Sequence, residues 1–349
     1  MRRLRFVAPA AVALAVGLAA CSSSSTPTPS AKGSGPTIIT APPVPSGVAG
    51  SAETLQNDFV AVVSRVRPSV VLIETDQGLG SGVIFDGSGD VVTNDHVVEG
   101  ASTLQVTGYD GKQHAATLVG TFVADDLAVV RVSGLGLPPI AFADSTKLEV
   151  GDIAIAVGNP LGLQSSVTEG IVSGTGRTVS EQNGVVLPNA VQTSAAINPG
   201  NSGGALVDLE GSLIGIPTLA AVDQQLGGGA APGIGFAIPS NTVKDVASQL
   251  VQFGHVVNTH RAYLGIQAAT SFGGGVVVTG VVPGGPAATA GISAGDQITS
   301  FNGKPVQTLD DLNTLLAAAQ PGQKVQVAIS HSDGTTATVT VTLGELPSS

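Results

Sequence analysis

Asn198-Pro199-Gly200-Asn201-Ser202-Gly203-Gly204 is the stretch on which the whole chain turns. A serine set among glycines can expose its hydroxyl while nearby backbone N–H groups turn toward one point, because glycine reaches angles closed to other residues. Acyl transfer needs both features: an attacking oxygen, and donors placed where the carbonyl oxygen gains negative charge. Taken alone, the same residues also describe a turn whose serine caps a local hydrogen bond. What decides between the two is whether the chain supplies a base and an acid.

It supplies both. Thr93-Asn94-Asp95-His96-Val97-Val98 places a histidine just after a Val-rich run, and Asp125-Asp126-Leu127-Ala128-Val129-Val130 places an acid just before another. With Ser202 the chain order is His, Asp, Ser, which is the order of the chymotrypsin-type triad. Imidazole suits the base because it exchanges a proton near neutrality. The acid would fix its tautomer and stabilise its charged form.

Short Val-rich runs separated by turn residues fill the chain between these points. Strands are expected at 70–74, 82–85, 91–93, 104–107, 115–121 and 127–132, then at 153–157, 166–173, 190–192, 204–207, 213–216 and 235–238. Such a series indicates an all-β barrel or sandwich, with His96 and Asp126 in a first barrel and Ser202 in a second. Before it, Leu55, Phe59, Val62, Val63 and Val66 recur at helical spacing and stop at Pro68. After it, Asn241 is expected to cap a helix ending near Phe253. A second unit from Ala262 to about Leu343 mixes strands with a turn at Pro286-Ala287-Ala288 and a helix over 309–319. That mixture fits a small α+β domain.

Composition agrees with short strands. Hydrophobic residues make up 42% of the chain, but aromatics only 3%, with no Trp, so the cores must be aliphatic. There are 47 Gly and 21 Pro to form the turns. The net charge of −11 opposes nucleic-acid binding. Cys21 is the only cysteine, which rules out an internal disulfide. Residues 1–20 carry Arg2, Arg3 and Arg5 and then an apolar run from Phe6 to Ala20, too short for a membrane span but suited to a signal peptide. The run ends Leu18-Ala19-Ala20-Cys21, which resembles the lipobox of bacterial lipoproteins. In that class the cysteine is acylated, and several chains make a stable membrane anchor. Residues 21–52 are rich in Ser, Pro, Thr and Gly and read as a disordered tether.

Thr93–Val98, Asp126–Val130, Ala156-Val157-Gly158-Asn159-Pro160-Leu161-Gly162, Gln192–Leu206 and Gly235-Phe236-Ala237-Ile238-Pro239 together resemble the HtrA (DegP/DegS-like) serine proteases. The second unit resembles a PDZ domain. The resemblance implies a mainly β fold: a chymotrypsin-like double β-barrel over residues 53–258, then an α+β PDZ domain over 262–345. It implies Ser202 as nucleophile, His96 as general base and Asp126 as the acid, with Asp125 left as a solvated neighbour. Backbone N–H groups of Gly200, Ser202 and Asn201 would form the oxyanion hole. Ile214, Gly215, Ile216, Pro217 and Thr218 would line an apolar specificity pocket. Tyr263-Leu264-Gly265-Ile266 resembles the carboxylate-binding loop of PDZ domains, so apolar C-terminal peptides are expected partners.

The implied function is an ATP-independent endopeptidase acting on unfolded or exported proteins outside the cytoplasmic membrane, anchored there through Cys21 and needing no cofactor. A non-proteolytic chaperone or PDZ-based binding module is the competing reading, and the intact His96, Asp126 and Ser202 speak against it. Ser194 and Pro217 depart from the family's usual Asp and Asn, which bears on regulation and fine specificity. The short loop Asp76–Leu79 argues for an assembly no larger than a trimer. His114, His255, His260 and His331 lie apart without metal-ligand spacing, and no metal site is expected.

Overall fold

The computed structural model describes residues 46–159, 166–180, 185–198, 200–223, 229–271 and 274–348. Cys21, the expected signal peptide and most of the expected tether lie outside the described residues.

Alternating aliphatic and small residues dictate short antiparallel strands, and these close into two barrels. The first has β1 (Val70–Thr75), β2 (Leu79–Ile84), β3 (Asp90–Thr93), β4 (Leu104–Thr107), β5 (Gln113–Phe122) and β6 (Leu127–Val132), in the order β1-β2-β3-β6-β5-β4. The second has β7 (Ile153–Gly158), β8 (Ser166–Ser180), β9 (Val186–Thr193), β10 (Ala205–Val207), β11 (Leu213–Asp223) and β12 (Gly229–Pro239), in the order β10-β11-β12-β9-β8-β7. Each strand read from the sequence falls on one of these. β8, β9, β11 and β12 run longer than expected, because Gly or Pro interrupts each added stretch and reads as a turn in the sequence.

Each barrel has its own aliphatic interior, and a further core joins the two. Val83, Val92, Leu127 and Val129 of the first barrel meet Ile155, Val157, Leu213 and Ile216 of the second there. Burying each such side chain contributes about 1.5–3 kcal/mol. Val62 and Val66 of helix α1 (Ser46–Val66) close one side of this core. Val243, Val246, Ala247 and Leu250 of α3 (Ser240–Phe253) close another; the single turn α2 (Asp95–Val98) lies between them in sequence.

Two helix boundaries differ from the sequence reading. α1 begins at Ser46, inside the stretch read as tether, because its first turns are small residues with no apolar periodicity to reveal them. Asn241 is not the cap of α3. Pro239 holds the N-cap position without a side-chain bond. Asn241 instead donates from Nδ2 to Asp144 (2.9 Å) and accepts from the Ser145 N–H, fastening the helix to the loop before β7.

The second unit begins with β13 (Ala262–Tyr263), which pairs with the terminal β20 (Gly344–Glu345). β14 (Ile266–Thr270), β15 (Val276–Val281), β16 (Gln297–Phe301), β18 (Lys324–Ser330) and β19 (Thr336–Thr342) form one sheet in that order, with the short β17 (Lys304–Pro305) beside β16. α4 (Pro286–Thr289) and α5 (Leu309–Ala317) cover it. A reciprocal cap starts α5: Thr308 Oγ1 accepts from the Asp311 N–H, and the Asp311 carboxylate accepts from the Thr308 N–H.

Candidate active site

Asp126 follows a 3-10 turn, Val123–Asp125, and takes a left-handed conformation with φ of 49°. That kink turns its carboxylate toward α2. Oδ1 accepts the His96 backbone N–H at 3.0 Å, and Oδ2 lies 2.9 Å from His96 Nδ1. Asn94 Nδ2 donates to the Asp126 carbonyl at 3.0 Å, so the two corners of the first barrel are pinned at three points. The imidazole is 37% exposed while the carboxylate is 2% exposed: the base faces solvent and its partner does not.

Ser202 comes from the facing barrel, between Asn198 and β10. Its Oγ donates to the Thr218 carbonyl at 3.1 Å, and Thr218 Oγ1 donates to Asp126 Oδ2 at 2.6 Å. Thr218 therefore touches both the serine and the acid. The sequence reading placed it only as a pocket wall.

The turn around Ser202 needs its glycines at two positions. Gly200 has φ of 98° and Gly203 has φ of 78°. A Cβ on Gly203 would also collide with the Ser81 carbonyl and with Thr93 Oγ1. Among the described residues, the Gly200 and Ser202 N–H groups have no acceptor. Asn201 differs from the expectation: its N–H is spent on the Asn198 carbonyl at 3.0 Å, so it is not available to an oxyanion.

The expected specificity pocket is corrected more sharply. Ile214 and Ile216 have no exposed surface, because the bulged pairing of β10 with β11 sends both into cores. Gly215 is pressed against the Ile238 carbonyl. Only Pro217, whose carbonyl takes the Gly203 N–H, and Thr218 reach the serine turn. Ser194 bonds β8 twice, donating its N–H to the Ile171 carbonyl and accepting the Ile171 N–H on Oγ.

Sequence reasoning missed two further residues. Ser81, on β2, contacts the serine turn directly, and its only signal is its place between Gly80 and Gly82 in an apolar strand. Asp95 is 7% exposed beside His96. Burial, then the charges of Asp126 and Glu99, push its carboxyl up to about 6, against the pull of His96 and a Thr121 hydrogen bond.

Residues 80–216 match a trypsin-like peptidase domain and residues 258–343 a PDZ domain. The periplasmic pH-dependent serine endoprotease DegQ of Escherichia coli (strain K12) is 43% identical over 286 residues, 78% of this chain and 61% of its own length. Periplasmic serine endoprotease DegP of the same organism is 43% identical over 261 residues, 72% of this chain and 54% of its own. The chain thus spans little more than half of each. The solved HtrA-type protease AlgW with decapeptide superimposes at a TM-score of 0.58 with 32% identity, over 83% of this chain and 99% of that one. The chain belongs to the HtrA family of serine proteases.

In this HtrA chain the PDZ domain is fastened beside the acid-bearing turn. Asp125, read from the sequence as a solvated neighbour, is in fact buried at 4% exposure and paired with Arg261, Nη1 to Oδ1 at 2.9 Å. Arg261 also donates to the Val186 carbonyl at 2.6 Å. Burial pushes the Asp125 carboxyl up and the Arg261 charge pulls it back. Next to this pair lies a groove between β14 and α5, lined by Leu264, Ile266, Ala268, Leu309, Leu312 and Leu316. Leu315, on the same helix, packs on the domain core and does not line the groove. The far wall belongs to the protease domain: Phe122, Val123, Ala124, Val185 and Val186. The remaining histidines sit singly, His331 against Asp296 and His255 against the Phe253 carbonyl.

Proposed function

We propose that this chain is an ATP-independent serine endopeptidase that cleaves unfolded or exported proteins outside the cytoplasmic membrane through an acyl-enzyme. The observation that carries the reading is the link Ser202–Thr218–Asp126–His96, which brings one residue of each triad type into a single cluster. Ser202 attacks the scissile carbonyl while His96 takes its proton and later returns it to the leaving amine. Asp126, accepting from His96 Nδ1, fixes the tautomer and offsets the imidazolium charge. The Gly200 and Ser202 N–H groups receive the oxyanion.

The PDZ groove takes the apolar C-terminus of a peptide and regulates cleavage. β14 lies at the edge of its sheet and can accept an added strand, and the Tyr263–Ile266 loop faces the groove beside an aliphatic wall. Acylated Cys21 holds the enzyme on the outer face of the membrane, in assemblies no larger than a trimer. The test is digestion of casein by the wild type and by Ser202→Ala, with and without a hydrophobic C-terminal peptide. Cleavage confined to the wild type supports the reading, and equal digestion by both proteins refutes it.

A further inference from the structure

Ser81 lies outside the triad, the oxyanion donors and the groove, yet four hydrogen bonds converge on it. Its N–H donates to the Ser202 carbonyl at 2.9 Å, and its Oγ donates to the Gly200 carbonyl at 2.5 Å. The same Oγ accepts the Asn159 N–H at 2.8 Å, and its carbonyl accepts from Thr93 Oγ1 at 2.7 Å. Ser81 is fully buried, so no solvent competes for these bonds. Accepting from Asn159 also fixes the rotor, because the hydroxyl proton then has one acceptor left to reach: the Gly200 oxygen.

We propose that Ser81 is a positioning residue for the oxyanion-binding turn, holding the Gly200–Asn201 peptide so that the N–H groups on either side face the reacting carbonyl. This rests on the acyl-enzyme reading above. The turn is gripped at two places, the Gly200 oxygen and the Ser202 oxygen, and the Ser202 N–H lies between them. Gly200 has φ of 98°, in a region glycine crosses freely, so its own backbone gives the turn little stiffness. Stiffness must come from outside, and β2 provides it across the barrel interface. Thr93 extends the grip to β3, whose next residues lead to His96. The strand beneath the base and the turn bearing the nucleophile therefore share one buried serine.

Pre-aimed donors matter in the transition state, where the oxygen carries charge, and far less when substrate first binds. Losing the Ser81 hydroxyl should lower kcat and leave KM nearly unchanged. Removing an oxyanion donor outright costs about a hundredfold to a thousandfold, so loosening two donors should cost about tenfold to a hundredfold.

The experiment compares full-length wild type, Ser81→Ala and Ser81→Cys. It measures casein turnover, the rate of inactivation by diisopropyl fluorophosphate, the fraction of chains labelled at completion, and the melting temperature. Fluorophosphate modification also builds negative charge on an oxygen at the donor site, but makes few other contacts. The expected result is a kcat per labelled chain, and an inactivation rate, that fall together in the order Ser, Cys, Ala, with KM within twofold. A merely structural role would reduce the labelled fraction or the melting temperature and leave kcat per labelled chain unchanged; that outcome overturns the proposal. If Ser81→Ala does not fold, Ser81→Cys decides, and a kcat within twofold of wild type overturns it. A wild type that neither digests casein nor reacts with the fluorophosphate overturns the endopeptidase reading, and this inference with it. An active wild type beside an unchanged variant overturns this inference alone.

Discussion

Replacing Asp95 by Asn should stabilise the protein above neutral pH and do so much less in acid. The Asp95 carboxyl sits at 7% exposure, with Asp126 and Glu99 nearby and a Thr121 hydroxyl donating to it. Its folded-state value is about 6, against 3.8 for a free aspartate. The folded state therefore holds the proton more tightly than the unfolded chain, and stability falls as pH rises from about 4 to about 6. That gap corresponds to about 3 kcal/mol at most, at about 1.4 kcal/mol for each pH unit. Asparagine keeps the shape and the Thr121 contact without the charge, so the gain at pH 7.5 should be about 1–3 kcal/mol. For a domain of this size that is a rise of about 2–12 °C in melting temperature. The assay is thermal melting of wild type and Asp95→Asn at pH 4.5 and pH 7.5, both carrying Ser202→Ala to prevent self-cleavage. An equal gain at both values, or none at pH 7.5, would refute the argument, because it ties the gain to one buried charge.

Further outcomes follow from single contacts. Gly203→Ala should abolish casein digestion and lower stability by at least about 1–3 kcal/mol, read by chemical denaturation, since a Cβ there meets the Ser81 carbonyl and the backbone is left-handed. Arg261→Leu should cost about 3–5 kcal/mol by leaving the Asp125 carboxylate buried without a partner, and Arg261→Leu with Asp125→Leu should recover most of it. A free-acid apolar peptide should bind the full chain about tenfold or more tightly than its amide in calorimetric titration, and equal affinities would exclude carboxylate capture. Cys21→Ala should move the protein from the membrane to the soluble fraction, with acylation of the wild-type N-terminus visible by mass spectrometry.

The barrels and the His, Asp and Ser positions were legible because both depend on local signals. Alternating valines mark strands, and Gly200-Asn201-Ser202-Gly203-Gly204 marks a tight turn that carries the candidate nucleophile. What escaped depends on partners far along the chain. Nothing near Asp125 announces that Arg261, 136 residues away, will bury it. Ser81 meets Gly200 across 119 residues. Ile214 and Ile216 were assigned to a pocket because the family resemblance carries that role to their positions, but the bulge that turns them into cores is a property of strand pairing. Asn241 failed for a related reason: an asparagine near a helix start resembles a cap, and its actual bonds go to Asp144 and Ser145 on another element.

The placement of the PDZ groove bears on how a bound peptide could act on the protease. Val123 and Ala124 wall the groove and directly precede Asp125 and Asp126, so the path from ligand to acid is two residues long. The Arg261–Asp125 pair sits on that path. Separating it would leave two buried charges unpaired, at about 3–5 kcal/mol. Coupling between sites is typically about 1–3 kcal/mol, and only the part of the binding energy that differs between two states can shift them. On the regulatory reading, a peptide in the groove would be too weak a lever to open the pair, which ties the PDZ domain to the protease domain. The coupling would then run through the apolar wall. Filling the groove against Val123 and Ala124 would cost no buried charge, and a small rotation of that 3-10 turn would move the Asp126 carboxylate relative to His96 and Thr218.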